Sequence, residues 1–400
     1  MKFWKDSLVI KKTIKSRYSH QLFSIILISI LYSTLSLTVL DEPVTAVIRD
    51  YWPTDEWQES SPEEQGMSSE KLAEVDKTIT EGGYPINSYL IIKNGYIIDE
   101  HYYYGYNDST IHQLFSVTKS FLSALYGIAI EKGYVSLDQK MINFFPDRNI
   151  SNFDERKEEI TIEDLLTMTS GLKWSESTTD SLWFASDDQI QFVLDRPMEH
   201  EPGEVFNYNS GSSHILSAIL QNVTGKTTLQ FVEDYLFNDL GIIDYSWAKD
   251  PSGVYYGSHG LSLTPRDMAK FGFLYLNNGT WDTEIILQKE WVQESTMKKI
   301  NVSQKTNYGY LWWLNPNLQS YQASGFLGQR IFVFPKYDLI VVYTATTFSP
   351  SILEDLIEDY ILPAIDGNNT TTGKTTITPI MVILGLVVIG SIKANKNKRD

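Results

Sequence analysis

The 400-residue chain contains no cysteine. Disulfides, thiol nucleophiles and cysteine-ligated zinc are therefore excluded. Histidine is scarce as well: the six, at positions 20, 101, 112, 200, 214 and 259, show no His-x-x-x-His or Glu-bracketed metal spacing. The chain also lacks the Gly-x-Ser-x-Gly elbow of α/β-hydrolases, a glycine-rich phosphate loop and any internal repeat. Positive charge is in deficit, with 33 Lys and Arg against 50 Asp and Glu, a net −17. The basic residues gather at the ends. Residues 1–40 carry six basic and one acidic side chain and residues 379–400 four and one, which leaves −25 on residues 41–378. So acidic a body repels polyanions, and no nucleic-acid partner is expected.

Long apolar runs are confined to the same two ends. Leu22–Leu40 follows Lys2, Lys5, Lys11, Lys12, Lys15 and Arg17, the layout of a signal peptide or signal anchor, and residues 1–45 are assigned to it. Ile380–Gly390 lies between a Thr/Asn-rich stretch and Lys393, Lys396, Lys398 and Arg399. Residues 366–378 read as a polar stalk and residues 379–400 as an apolar tail with a basic end, either a membrane span or a sorting signal. Both basic clusters belong on the cytoplasmic side by the positive-inside rule. The expectation is attachment to the cell membrane through the terminal segments, with residues 46–365 on the extracytoplasmic side.

Within that body, a polar helix is capped by Ser68 and stops at a glycine pair, "SSEKLAEVDKTITEGG". A β-hairpin turns at Asn94-Gly95. An apolar helix runs from Val117 to Lys132, and residues from about 140 to 250 are mostly helical, with clear segments at "ITIEDLLTMTSGL" and "SSHILSAILQNVTG". "LTPRDMAKFGFLYLNNG" is a further helix, followed by the strands "QSYQAS", "GQRIFVFP" and "DLIVVYTATT" and a closing helix, "PSILEDLIEDYILPAI". The predicted class is α/β in the α+β sense: an antiparallel sheet covered by the first and last helices, with a helical subdomain inserted.

Ser-x-x-Lys occurs five times, starting at Ser68, Ser116, Ser170, Ser246 and Ser295. Only Ser116 opens a helix that is apolar all round, "SVTKSFLSALYGIAIEKG". Lys119 then sits near the positive end of a helix dipole in a buried setting, and an unpaired ammonium there costs several kcal/mol. Nucleophilic catalysis accounts for the placement. A serine hydroxyl needs a base within hydrogen-bond reach, the (i, i+3) spacing supplies one on the same helix face, and burial favours the neutral amine.

"SVTKS", "ITIEDLLTMTSGL", "PGEVFNYNSG", "LTPRDMAKFG" and "ASGFLGQRIFVFP", in that order over residues 60–365, resemble the β-lactamase-related serine hydrolases. That family includes class C β-lactamases, D,D-peptidases, esterases and 6-aminohexanoate-dimer hydrolases. The resemblance implies a β-lactamase/transpeptidase-like fold and an acyl-enzyme formed on Ser116, with Lys119 and Tyr208 as the base and acid pair and no metal or cofactor. It places oxyanion-holding N–H groups at Ser116 and Phe326, and substrate-contacting residues at Asn209, Ser210, Ser324 and Gly325. Ser210 stands where the family has asparagine, so Asn209 or Ser210 would hold Lys119. The family's Lys/His-Thr/Ser-Gly motif reads Ala323-Ser324-Gly325 and lacks its cation, for which Arg330 is the candidate replacement. His259 is a candidate pocket residue, and Trp174 and Trp312 are candidate walls of an acyl pocket. The expected activity is cleavage of a small ester or amide rather than a true β-lactamase reaction. The alternatives are a D,D-peptidase or β-lactamase, and a catalytically silent surface-binding domain on the same scaffold. Sequons at Asn222 and Asn278 permit glycosylation.

Overall fold

Asn94 (φ 54°) and Gly95 (φ 93°) both adopt the left-handed conformation that a two-residue hairpin turn requires. They join β1 (Ile86–Lys93) to β2 (Tyr96–Tyr102). The computed structural model describes residues 49–365. The two terminal apolar runs, and the membrane attachment expected of them, lie outside the described residues. Among the described residues, no helix is long and apolar enough to cross a membrane.

In chain order, two minor sheets come between the hairpin and the remainder of its sheet. One joins β3 (His112–Gln113), β4 (Tyr245–Trp247) and β5 (Leu261–Leu263), and the other is the short hairpin β6 (Thr280–Trp281) and β7 (Glu284–Ile285). The main sheet is completed by β8 (Ile300–Asn301), β9 (Asn307–Tyr308), β10 (Trp313–Asn315), β11 (Ser320–Gly325), β12 (Gln329–Phe334) and β13 (Leu339–Ala345). Its eight strands are ordered β2-β1-β13-β12-β11-β10-β9-β8, with every pair antiparallel. The three expected strands are its centre. The sheet extends further than expected because β8 to β10 are only two or three residues each, inside a polar stretch with no readable alternation.

The central strands are buried on both faces, which explains why β13 is a continuous apolar run rather than an alternating one. On one face, Tyr89, Ile91, Phe332, Val341 and Tyr343 meet helix α1 (Ser69–Gly82) and the C-terminal helical segment from Ser351. The expected caps are in place on α1: Ser68 accepts the Lys71 N–H, and Gly83 closes the helix at φ 62°. On the other face, Leu90, Ile331, Ile340 and Val342 pack with α2 (Val117–Glu131) and α4 (Pro265–Leu276). Both faces are thus covered, one by the first and last helices and the other by the apolar ones. Between residues 140 and 250 the chain is built from short helices around α3 (Ser210–Thr224), which packs on α2.

Candidate active site

Ser116 stands at the sheet side of α2, and the backbone before it is strained. Phe115 has φ 49°, a left-handed conformation that costs a non-glycine residue on the order of 1–2 kcal/mol. The first turn of α2 is tight: the N–H groups of Val117, Thr118 and Lys119 donate to the carbonyls of Leu114, Phe115 and Ser116, a series in which the Ser116 N–H takes no part. The Ser116 hydroxyl makes no capping bond. It instead lies 2.9 Å from Lys119 Nζ.

Lys119 is only 1% exposed, so it does not reach outward to water. Two further partners offset its burial, Ser210 Oγ at 3.1 Å and the Ser258 carbonyl at 3.0 Å. Gly257 lets the Ser258 loop pack this closely on α3, since a Cβ there would meet the Ser213 carbonyl at 2.1 Å. Of the two candidates for holding Lys119, Ser210 does so. Asn209 is fully buried, caps α3 by accepting the Ser212 N–H at 3.0 Å, and does not line the cavity beside Ser116.

That cavity, about 360 Å³, is bounded by Ser116, Glu176, Tyr208, Trp313, Ser324, Gly325, Phe326 and Arg330, with Thr347, Phe348 and Pro350 toward its rim. The Tyr208 ring lies beside the lysine, with Nζ 4.8 Å from its centroid. Gly325 ends β11 against the backbone that leads into Ser116: a Cβ at this position would fall 2.2 Å from the Leu114 carbonyl. Its first role is therefore close packing of two chain segments, not only access for a ligand. Phe326 follows it, largely exposed, with its ring edge-on to Phe115 at 5.6 Å.

Arg330 is directly across from Ser324 in the β11–β12 pair, so both side chains face the cavity. The motif has no cation on its own strand, and Arg330, its candidate replacement, borders the cavity from the neighbouring strand. Its Nη1 donates to the carbonyls of Gly325 and Gln329. Burial pushes the guanidinium down to about 10, so it stays charged at neutral pH.

Three aromatic expectations change. Trp312 is fully buried between Phe271, Tyr275 and Tyr321 and is a core residue. Trp313 is the tryptophan that walls the cavity, and Trp174 packs outside it on Trp183. His259 does not line the cavity. It bonds the Ser258 hydroxyl at 2.8 Å and stacks on Tyr256. Burial, then the nearby Lys119 side chain, holds its imidazole down at about 3.

Glu176 is a site residue that sequence reasoning does not single out. Its oxygens accept the Ser210 hydroxyl at 2.9 Å, the Ser210 N–H at 2.8 Å and Trp174 Nε1 at 2.9 Å. Asp180 shares that indole N–H at 3.1 Å. In "KWSESTTD", a Ser/Thr-rich loop, a lone glutamate reads as solvated, and only its proximity to Ser210 in space reveals it.

A family model described as beta-lactamase matches residues 73–364. The 6-aminohexanoate-dimer hydrolase of Paenarthrobacter ureafaciens is 22% identical over 285 residues, 64% of this chain and 71% of that protein. Protein flp of Staphylococcus aureus strain MW2 is 26% identical over 178 residues, 42% of this chain but only 35% of that longer protein. Among solved structures, EstCE1, a hydrolase with promiscuous acyltransferase activity, superposes with a TM-score of 0.63 over 75% of this chain and 98% of its own, at 17% identity, which is a likeness of fold.

Proposed function

The chain belongs to the beta-lactamase family, and from that premise we propose that it is a serine hydrolase that cleaves a small ester or amide through an acyl-enzyme on Ser116. The observation that carries the reading is the buried Lys119 amine 2.9 Å from the Ser116 hydroxyl, a nucleophile with its base already in reach.

In this reading the Ser116 oxygen attacks the carbonyl carbon as its proton passes to the Lys119 amine. The negative charge that develops on the carbonyl oxygen is met by the N–H groups of Ser116 and Phe326. The tetrahedral intermediate then collapses, and the leaving alcohol or amine departs with a proton delivered by way of Tyr208. Water adds to the ester on Ser116 with the proton flow reversed, which releases the acid and restores the serine. The 6-aminohexanoate-dimer hydrolase and EstCE1 are both named as hydrolases, and those names support the assignment.

A second reading rests on Arg330. A charged guanidinium facing Ser324 fits a substrate bearing a carboxylate, as in a β-lactam or a D,D-peptidase substrate. Against it, Nη1 is already engaged by two backbone carbonyls, so Arg330 is partly committed to holding the β11–β12 turn. Labelling of the full chain with a fluorophosphonate, followed by mapping of the labelled peptide, tests the acyl-enzyme that both readings share. Label on Ser116 supports it, and no label on Ser116 overturns it in favour of a silent binding domain.

A further inference from the structure

Glu176 occupies a position that the acyl-enzyme chemistry does not by itself require. It lies at the N-terminus of the 15-residue helix α3, where the backbone dipole favours an anion. Its bonds to Ser210 and Trp174 place it as acceptor, from the Ser210 N–H, the Ser210 hydroxyl and Trp174 Nε1, and it also bonds the Asp180 carboxyl. As a carboxylate it can accept all three at once.

The direction of the Ser210 hydroxyl has a consequence for the lysine. Because that O–H donates to Glu176, the Ser210 oxygen faces Lys119 with a lone pair and accepts from Nζ. The Ser258 carbonyl can only accept. A neutral amine has two N–H donors, and these two acceptors consume both. Its single lone pair is left for the remaining neighbour, the Ser116 hydroxyl at 2.9 Å.

We propose that Glu176 is a positioning residue that, through Ser210, aims the lone pair of Lys119 at Ser116 and stabilises the ammonium formed when the serine gives up its proton. The arrangement Ser116–Lys119–Ser210–Glu176 then does for a lysine base what a buried carboxylate does for an imidazole. It orients the base and supplies a counter-charge at the moment of proton transfer. This inference rests on the acyl-enzyme reading and deepens it.

Other ionisable groups face this chain of bonds. Tyr208 precedes α3, Tyr308 lies on β9, Arg330 projects from β12, His259 approaches from a loop and Asp180 from the short helix Thr179–Phe184. His259 is neutral across the working range. Asp180 is pushed up to about 7, by burial first and by the Glu176 charge second, so its titration must be separated from that of the lysine.

The test is the pH dependence of kcat/KM for hydrolysis of p-nitrophenyl acetate by the full chain, and of its labelling rate by a fluorophosphonate. In the wild type both are expected to rise with pH. Glu176→Gln keeps the shape but removes the charge. It should lower the plateau at least tenfold and move the acid limb down, because the ammonium formed on proton transfer loses an anion two hydrogen bonds away. Ser210→Ala breaks the same connection while leaving Glu176 bonded to the backbone and to Trp174. It should reproduce the loss of plateau rate, with a smaller movement of the limb because the Glu176 charge remains, and the double variant should be no worse than Glu176→Gln alone. A folded Glu176→Gln protein whose acid limb has not moved overturns the inference, as do multiplicative effects of the two substitutions. If Glu176→Gln does not fold, Ser210→Ala alone decides by the plateau rate: a folded variant with the wild-type plateau overturns the inference. Asp180→Asn is the control: the Glu176 charge also raises Asp180, so a limb that disappears in Asp180→Asn belongs to Asp180 whatever Glu176→Gln does, and the inference falls. A wild type that neither turns over nor labels refutes the acyl-enzyme reading itself, and this inference with it.

Discussion

The indole of Trp313 lies almost parallel to the ring of Tyr208, at 26° and with centroids 5.5 Å apart, and both rings border the cavity beside Ser116. Tyr308 closes the cluster edge-on to Trp313 at 4.8 Å. The stack fixes the plane of the tyrosine proposed to pass protons to the leaving group, and offset aromatic pairs of this kind contribute about 0.5–1.5 kcal/mol. Trp313→Ala should therefore lower kcat more than it raises KM, by roughly tenfold if the tyrosine loses its orientation. The adjacent Trp312→Ala opens a core cavity and should act on stability instead, by about 3–5 kcal/mol. Steady-state kinetics and thermal melts on the two variants separate these roles. Equal effects on both readouts would remove the distinction.

Ser116→Ala should abolish hydrolysis and fluorophosphonate labelling while leaving the melting temperature close to that of the wild type, since the hydroxyl caps nothing. Lys119→Ala should lower activity by a similar factor, because nucleophile and base act as one unit. It should also lower stability, because Ser210 and the Ser258 carbonyl lose a buried donor. Labelling of Ser116→Ala at the wild-type rate would place the nucleophile elsewhere.

The parts of the site that are legible in the sequence are those where local chemistry conflicts with local structure. A lysine inside a helix apolar all round marks Ser116 and Lys119, and Asn94-Gly95 marks the hairpin on which the sheet is built. The parts that are not legible depend on contacts distant in sequence or on single backbone angles. Glu176 meets Ser210 across 34 residues. Arg330 faces the cavity because of its register with Ser324, which spacing alone does not fix. Trp312 and Trp313 differ by one residue, and which of them points inward is decided just upstream, where Leu311 turns the chain at φ 60°. Asn209 is a candidate ligand of Lys119 from its motif position, but its Oδ1 is occupied by the helix it caps.

Arg330 makes substrate choice a measurable question. With Nη1 held by the turn carbonyls of Gly325 and Gln329, the guanidinium has reduced capacity for a bidentate grip on a carboxylate. Neutral short-chain esters should be turned over with a higher kcat/KM than penicillins. Arg330→Lys should leave ester hydrolysis within a few-fold, roughly the effect of altering one partly exposed contact. Penicillin hydrolysis at comparable efficiency, lost selectively in Arg330→Lys, would show instead that the guanidinium binds the substrate carboxylate.

The buried imidazoles make stability depend on pH in a way that can be isolated. Burial holds His214 below its ordinary range, against the opposing hydrogen bond to Asp250 at 3.0 Å, and holds His259 at about 3. Both therefore take up a proton less readily in the folded protein than in the unfolded chain, where imidazoles titrate near about 6.5. The unfolded state then binds more protons, so each of these groups destabilises the fold as pH falls, by about 1.4 kcal/mol per unit. For His259 the effect begins near 6.5 and ends near 3. Asp180 has the opposite sign: its carboxyl, raised to about 7, is protonated in the fold well before it is in the unfolded chain, and this offsets one histidine as pH falls. The wild-type curve is thus a sum of opposed contributions, and a difference between variants is the informative quantity. His259→Phe keeps the stack on Tyr256, whose ring lies 4.1 Å away, and removes the titration. Urea denaturation at pH 7.5 and pH 5, conditions chosen to bracket roughly the ordinary histidine range, should show the variant losing less stability than the wild type by about 2 kcal/mol. Parallel losses in the two proteins would mean that His259 is protonated in the fold.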